Sequence, residues 1–199
     1  MSEQQNRDSE AEGDTGTPGE GLAYSDNISV AWRPVEHPLD DTHLARVNAS
    51  NQEFLRAVSV LGDATAHKEG ADSAGAVAQE VARLDLKVNI LLDLVSTLIY
   101  HQLDIPDTSP VRVSAAGVAW RGNVPEPGKT VFLELYIQRG LPKPLCCYGE
   151  VVSSAEDYAA GKARVRFVGL TGAARAWLDK LIFRHHRREV AYRRSGAQE

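Results

Sequence analysis

Between residues 77 and 98, apolar side chains recur at steps of four and three: Val77, Val81, Leu84, Val88, Leu91, Val95 and Leu98. Those steps place all seven on one stripe of an α-helix, the pattern of a coiled-coil seam. Val81, Val88 and Val95 take the a positions, with Val77, Leu84, Leu91 and Leu98 at d, a choice that favours two parallel strands. The same stretch is also apolar on its other faces, at Ile90, Leu92, Leu94 and Ile99. A helix apolar nearly all round needs cover on several sides. The helix is predicted to span about 73–104, with Asp72 or Ser73 as its cap and Pro106 as its stop.

A second stripe precedes it. Leu44, Val47, Asn51, Phe54, Val58 and Leu61 predict a helix over about 41–62, entered through Asp40, Asp41 and Thr42 as cap and first-turn residues. Asn51 falls at an a position, where a polar side chain sets register or strand number; equally, it can face the edge of a packed core. Gly62, Gly70 and Gly75 make the connection flexible, so the two helices are expected to fold back as an antiparallel hairpin. The hairpin leaves much of the second helix uncovered. This predicts self-association into a bundle of four or more helices, a tetramer first and a dimer next. The competing expectation is that the surplus apolar surface lies on the chain's own β-domain.

Elsewhere the period is two. Ile28, Val30 and Trp32 alternate with Asn27, Ser29, Ala31 and Arg33, so 22–35 holds a short strand closed by Pro34 and Pro38. From 107 onward, Val111–Trp120, Lys129–Gln138, Leu145–Ser153 and Ala163–Val168 read as strands separated by Gly- and Pro-rich turns, a small antiparallel barrel or sandwich. Val131, Leu133, Leu135 and Ile137 mark the inward side of the second. A helix over 172–192 presents Ala174, Trp177, Leu178, Leu181 and Ile182 on one face and turns basic from Arg184. The chain therefore divides into an acidic tail expected to be disordered (1–20), a strand joining the barrel (22–35), a helical segment (40–105), a barrel with its helix (107–192) and a tail (193–199). The class is α+β.

Composition changes this picture little. The 199 residues carry a net charge of −5, distributed unevenly: residues 1–40 hold nine acidic and two basic side chains, and 175–199 hold seven basic and three acidic. The basic end could attract an anionic ligand, a nucleic acid or an acidic partner, or be a solvated face. The overall acidity and the few aromatics on that helix argue against nucleic acid. Adjacent Cys146 and Cys147 cannot easily bridge each other and are no metal site, so they read as strand thiols in a reducing, cytoplasmic setting. No signal peptide or membrane-spanning run is expected. Neither a phosphate loop, a nucleophile elbow nor a metal cluster appears, so no enzyme, cofactor or metal is expected.

The C-terminal part resembles the PilZ family, bacterial β-barrel domains known as cyclic di-GMP receptors. The resemblance rests on Ser114-Ala-Ala-Gly117 in a strand, Gly128 before a strongly alternating strand, and Gly149-Glu-Val-Val152. Gly161, then Arg164-Val-Arg-Phe-Val-Gly169 and a terminal helix complete it, over about 107–190. The family's site implies an Asp/Asn-x-Ser-x-x-Gly strand and an upstream Arg-x-x-x-Arg pair, arginines meeting phosphates and guanines while the acidic or amide oxygen accepts from guanine. Here Ser114 and Gly117 are in place, but Arg112 occupies the acceptor position and arginine only donates. Residues 86–111 contain no arginine; Arg184 and Arg188 have the spacing but sit on the terminal helix. The expectation is a degenerate domain acting by self-association and binding to another protein, with weak or no cyclic di-GMP affinity. The alternative is a receptor whose altered site uses Arg112 and the C-terminal arginines.

Overall fold

The computed structural model describes residues 21–37, 40–66, 76–138 and 141–195. The expected tail 1–20, the Gly70 connection and the last four residues lie outside them. Six strands form a closed antiparallel barrel: β1 (Ala23–Pro34), β2 (Ser109–Ser114), β3 (Gly117–Arg121), β4 (Thr130–Tyr136), β5 (Leu145–Val151) and β6 (Lys162–Val168), in the spatial order β1-β2-β3-β6-β5-β4. β1 closes it. Its first half, Ala23 to Ile28, pairs with β2, and its second half, Ser29 to Pro34, pairs with β4. Helices α1 (Asp41–Ala66) and α2 (Ala76–Gln102) are thus inserted between the first two strands, while α3 (Ala155–Ala159) and α4 (Gly172–Ser195) follow β5 and β6.

Alternation fills the interior. Val111 and Val113 from β2, Val131, Leu133 and Leu135 from β4, and Leu145 and Cys147 from β5 are buried to 1% exposure or less. At one end Trp32 and Trp120 both donate their indole N–H to the Asn123 carbonyl, at 3.1 and 3.0 Å. The run Val111–Trp120, read as a single strand, is two. The chain reverses at Ala115-Ala116, because the Ser114 hydroxyl accepts from Gly117 N and donates to Gly117 O, both at 3.1 Å. A Cβ on Gly117 would collide with the Val165 carbonyl of β6. The small residues are therefore a turn between paired strands, which period-2 counting runs straight through.

The first long helix goes elsewhere than the hairpin expectation placed it. Asp40 caps α1, accepting from Thr42 N and His43 N at 3.3 and 3.0 Å. Phe54, Leu55 and Val58 are buried with Leu178, Leu181 and Ile182 of α4 in the cluster that continues into the barrel. α1 lies on α4 and β5. Asn51 explains the register. Its amide donates to Cys146 O at 2.6 Å and accepts from Cys146 N at 3.1 Å, replacing a strand neighbour where β6 pairs only with Tyr148 to Val151 of β5. Asn48 does the same for the loop before α4, accepting from Thr171 N and donating to Gly169 O. Of the two readings of Asn51, the edge of a packed core is what the fold uses.

Candidate functional site

α2 is the outlying element. Val81, Leu84, Val88, Leu91, Val95 and Leu98 of the seam are each 51–61% exposed; the Val77 side chain lies outside the described residues. Leu86, Ile90, Leu92 and Leu94, on the remaining faces, are 40–61% exposed. The sequence makes this segment helical through its long run of Leu, Ala and Val without Gly or Pro. Among the described residues, the helix meets the barrel at its foot. There Ser96 is buried, Ile99 is half-buried, and the Tyr100 hydroxyl donates to Leu141 O at 3.3 Å in the β4–β5 loop. The surplus apolar surface therefore does not lie on the chain's own barrel. A row of this size is what monomeric proteins rarely leave open.

The ligand-type residues fall into two groups. Arg112 stands on β2 opposite Ser25 of β1 and Ala119 of β3, half-buried, and its neighbours Val111 and Val113 point inward. Ser114 is buried, its hydroxyl engaged with Gly117 as described, so both residues of that motif close a turn. Arg184 and Arg188 lie on α4. Arg184 donates to the Ser59 and Val58 carbonyls of α1 at 2.9 and 3.1 Å, which fastens the two helices together. Arg188 is exposed. α4 does run beside β1 and β2, with Arg175 donating to Ala115 O at 3.1 Å. The two groups thus share a side of the molecule, but the best-held arginine of the second is committed to α1.

Two features of the site region have no counterpart in the sequence reading. A cleft of about 360 Å³ between α1 and the barrel is lined by Arg33, His43, Arg46, Phe132, Glu134 and Cys146, among others. The Arg33 guanidinium sits 4.5 Å over the Phe132 ring, and Phe132 meets Tyr148 edge to face. The Cys146 thiol there is pushed up to about 11, first by burial and then by Glu134, with Lys143 and Arg33 opposing. Its thiolate form is thereby disfavoured. Cys147 is fully interior and raised further by burial. At the other end of the barrel, His185 of α4 stacks on Tyr24 of β1, ring centroids 4.3 Å apart. Burial lowers the His185 pKa, Asp26 raises it, and Arg184 and Arg188 lower it. Neither feature was visible beforehand, because each joins residues more than 90 positions apart. Among the described residues, no group of three or more His, Cys, Asp or Glu could hold a metal, and no helix is long and apolar enough to cross a membrane.

Comparison with known proteins follows the same lines. The family model of the atypical PilZ domain, cyclic di-GMP receptor, matches residues 55–195. Among solved structures, one similar chain comes from Xanthomonas campestris, described as a pathogenic protein with a tetrameric PilZ domain self-assembled through an unusual helical bundle. It aligns over 87% of this chain and 92% of its own, with a TM-score of 0.63 and 20% identity, a likeness of fold. No curated protein matches the chain.

Proposed function

This chain belongs to the atypical PilZ domain family, and from that premise we propose that it is a non-enzymatic signalling adaptor, assembled through α2 into a tetramer that presents its barrels to a protein partner. The observation that carries the reading is α2 itself: among its described residues ten large apolar side chains, spread over all faces, are 40–61% exposed. Full burial of a Leu or Val contributes about 1.5–3 kcal/mol. Even half of that for each of ten side chains matches the roughly 4–15 kcal/mol of freedom lost on association. Apolar residues at e and g (Leu92, Leu94, Ile99), besides those at a and d, give each helix two neighbours, as four helices around one axis require. The tetramer and helical bundle named for the Xanthomonas campestris protein support the same arrangement.

Cyclic di-GMP is assigned little or no affinity. Arg112 replaces the acceptor that guanine needs, Ser114 is spent on a turn, and Arg184 on α1. The free thiols, Cys147 buried and Cys146 half-buried, suit the cytoplasm. The test is the mass in solution. Light scattering on chromatographed protein is expected near four times the 21.7 kDa of one chain. Glu at Leu84, Leu91 and Val95 together should return the mass of one chain with the barrel still folded. A wild-type protein that runs as a monomer sinks the proposal.

The second reading, a receptor using Arg112 and the C-terminal arginines, is favoured by the receptor description of the family. Titration calorimetry with cyclic di-GMP separates the two: micromolar binding, weakened by Arg112→Ala and Arg188→Ala, supports the receptor and overturns the degenerate-site reading.

A further inference from the structure

α4 carries a charged surface that neither the barrel nor the assembly explains. On its outer side Arg187 and Arg188 are exposed, and Phe183, one turn earlier, is 55% exposed. Among the described residues neither arginine forms an ion pair. Arg193 and Arg194 follow in the sequence, against Asp179 and Glu189 as the acidic residues of the helix.

The chain enters the barrel beside this surface. Ala23 is in register with Ser114, next to the turn carbonyl that Arg175 holds, and Tyr24 stacks on His185. The ten residues from Arg175 to His185 span about 15 Å of helix, so the start of β1 lies along the middle of α4. Asp26, just inside β1, acts electrostatically on His185 against Arg184 and Arg188. The start of the barrel and the basic turn therefore already share one field.

What precedes β1 is the complement of that field. Residues 1–20 hold six carboxylates, Glu3, Asp8, Glu10, Glu12, Asp14 and Glu20, against the single Arg7. Twenty residues reach up to about 65–70 Å when extended, and the 24 residues of α4 are only about 36 Å long. The segment can reach every part of the helix. A polar segment with no core of its own can still lie along a charged face, since it needs no buried apolar surface to do so.

We propose that residues 1–20 dock along the basic outer side of α4, their carboxylates facing Arg187 and Arg188, as a tethered competitor of any polyanionic partner of that helix. The tether supplies an effective concentration in the millimolar range. A partner in solution must exceed this before it displaces the segment. The contact is electrostatic and exposed, so it weakens as the screening length falls from about 30 Å at 0.01 M salt to about 10 Å at 0.1 M.

The test uses the full chain in two forms: wild type, and a variant with Glu3, Glu10, Glu12 and Glu20 changed to Gln and Asp8 and Asp14 to Asn. A fluorescein-labelled peptide of residues 1–20 is titrated into each at low salt, with anisotropy as the readout. The variant, its own segment neutralised, is expected to bind the peptide saturably below about 1 mM. The wild type should bind it at least tenfold more weakly, and adding Arg187→Gln with Arg188→Gln to the variant should abolish binding. Equal binding to wild type and variant, no saturation with the variant, or indifference to the arginine changes would each overturn the proposal. Thermal melts of all forms show that the fold is intact, and the readout does not depend on how α2 assembles.

Discussion

Asn51 ties α1 to the edge of β5 through one amide. Its side chain satisfies both the N–H and the C=O of Cys146 at an open strand edge, and it is only 2% exposed. Leucine there would fit the apolar stripe of α1 but leave two buried backbone groups without partners, each costing about 1–3 kcal/mol. Asn51→Leu is therefore expected to destabilise the fold by about 2–5 kcal/mol, seen as a lower midpoint in urea unfolding. His185 gives a pH prediction. Its pKa is lowered in the folded state by burial against Tyr24, relative to the ordinary value of 6.5. Between the folded and ordinary values the unfolded chain binds more protons, so stability is complete above about 6.5 and is lost as pH falls through that window. Melting temperature should drop from pH 7.5 to pH 5. In His185→Phe, which keeps the stacked ring, the drop should be smaller; an unchanged slope would place the effect elsewhere.

The two long helices look alike as patterns and behave differently as elements. α1 spends its stripe inside the molecule, where Leu55 and Val58 are 2% exposed, whereas α2 keeps Leu91 61% exposed. Leu55→Ala should accordingly cost about 2–5 kcal/mol at any protein concentration. Leu91→Ala should leave the unfolding midpoint of a dilute, dissociated chain unchanged and lower it only at concentrations where chains assemble. Chemical denaturation at two protein concentrations a hundredfold apart reads both. The physical difference is where each helix makes its polar contacts: α1 carries Asn48 and Asn51 along its length to bond loop and strand edge, whereas α2 meets the barrel near its foot, where Tyr100 bonds Leu141 O. A heptad count weighs apolar spacing and overlooks such amides, so it assigned the two helices to each other.

For the whole molecule, the closed barrel carries α2, whose described apolar side chains are largely exposed, and α4, whose basic outer side is exposed. The two proposals keep these surfaces apart, assembly on α2 and docking of residues 1–20 on α4. Removing α2's apolar seam with Leu84→Glu, Leu91→Glu and Val95→Glu should then leave the melting of the barrel within a few degrees of the dissociated wild type. What the sequence by itself determined is what local chemistry dictates: inward alternation in β4, the basic turn of α4, the Asp40 cap and an apolar helix at 77–98 needing cover. These follow from side-chain periodicity and capping, which act within a few residues. Tertiary structure alone decided that Ser114-Ala-Ala-Gly117 is a turn pressed against Val165, that α1 lies on β5 and α4 and leaves α2 bare, and that Arg184 serves α1. It also decided that Tyr24 meets His185 across 161 positions. Each of those depends on which groups are left unpaired once the barrel closes, and closure is a property of all six strands together.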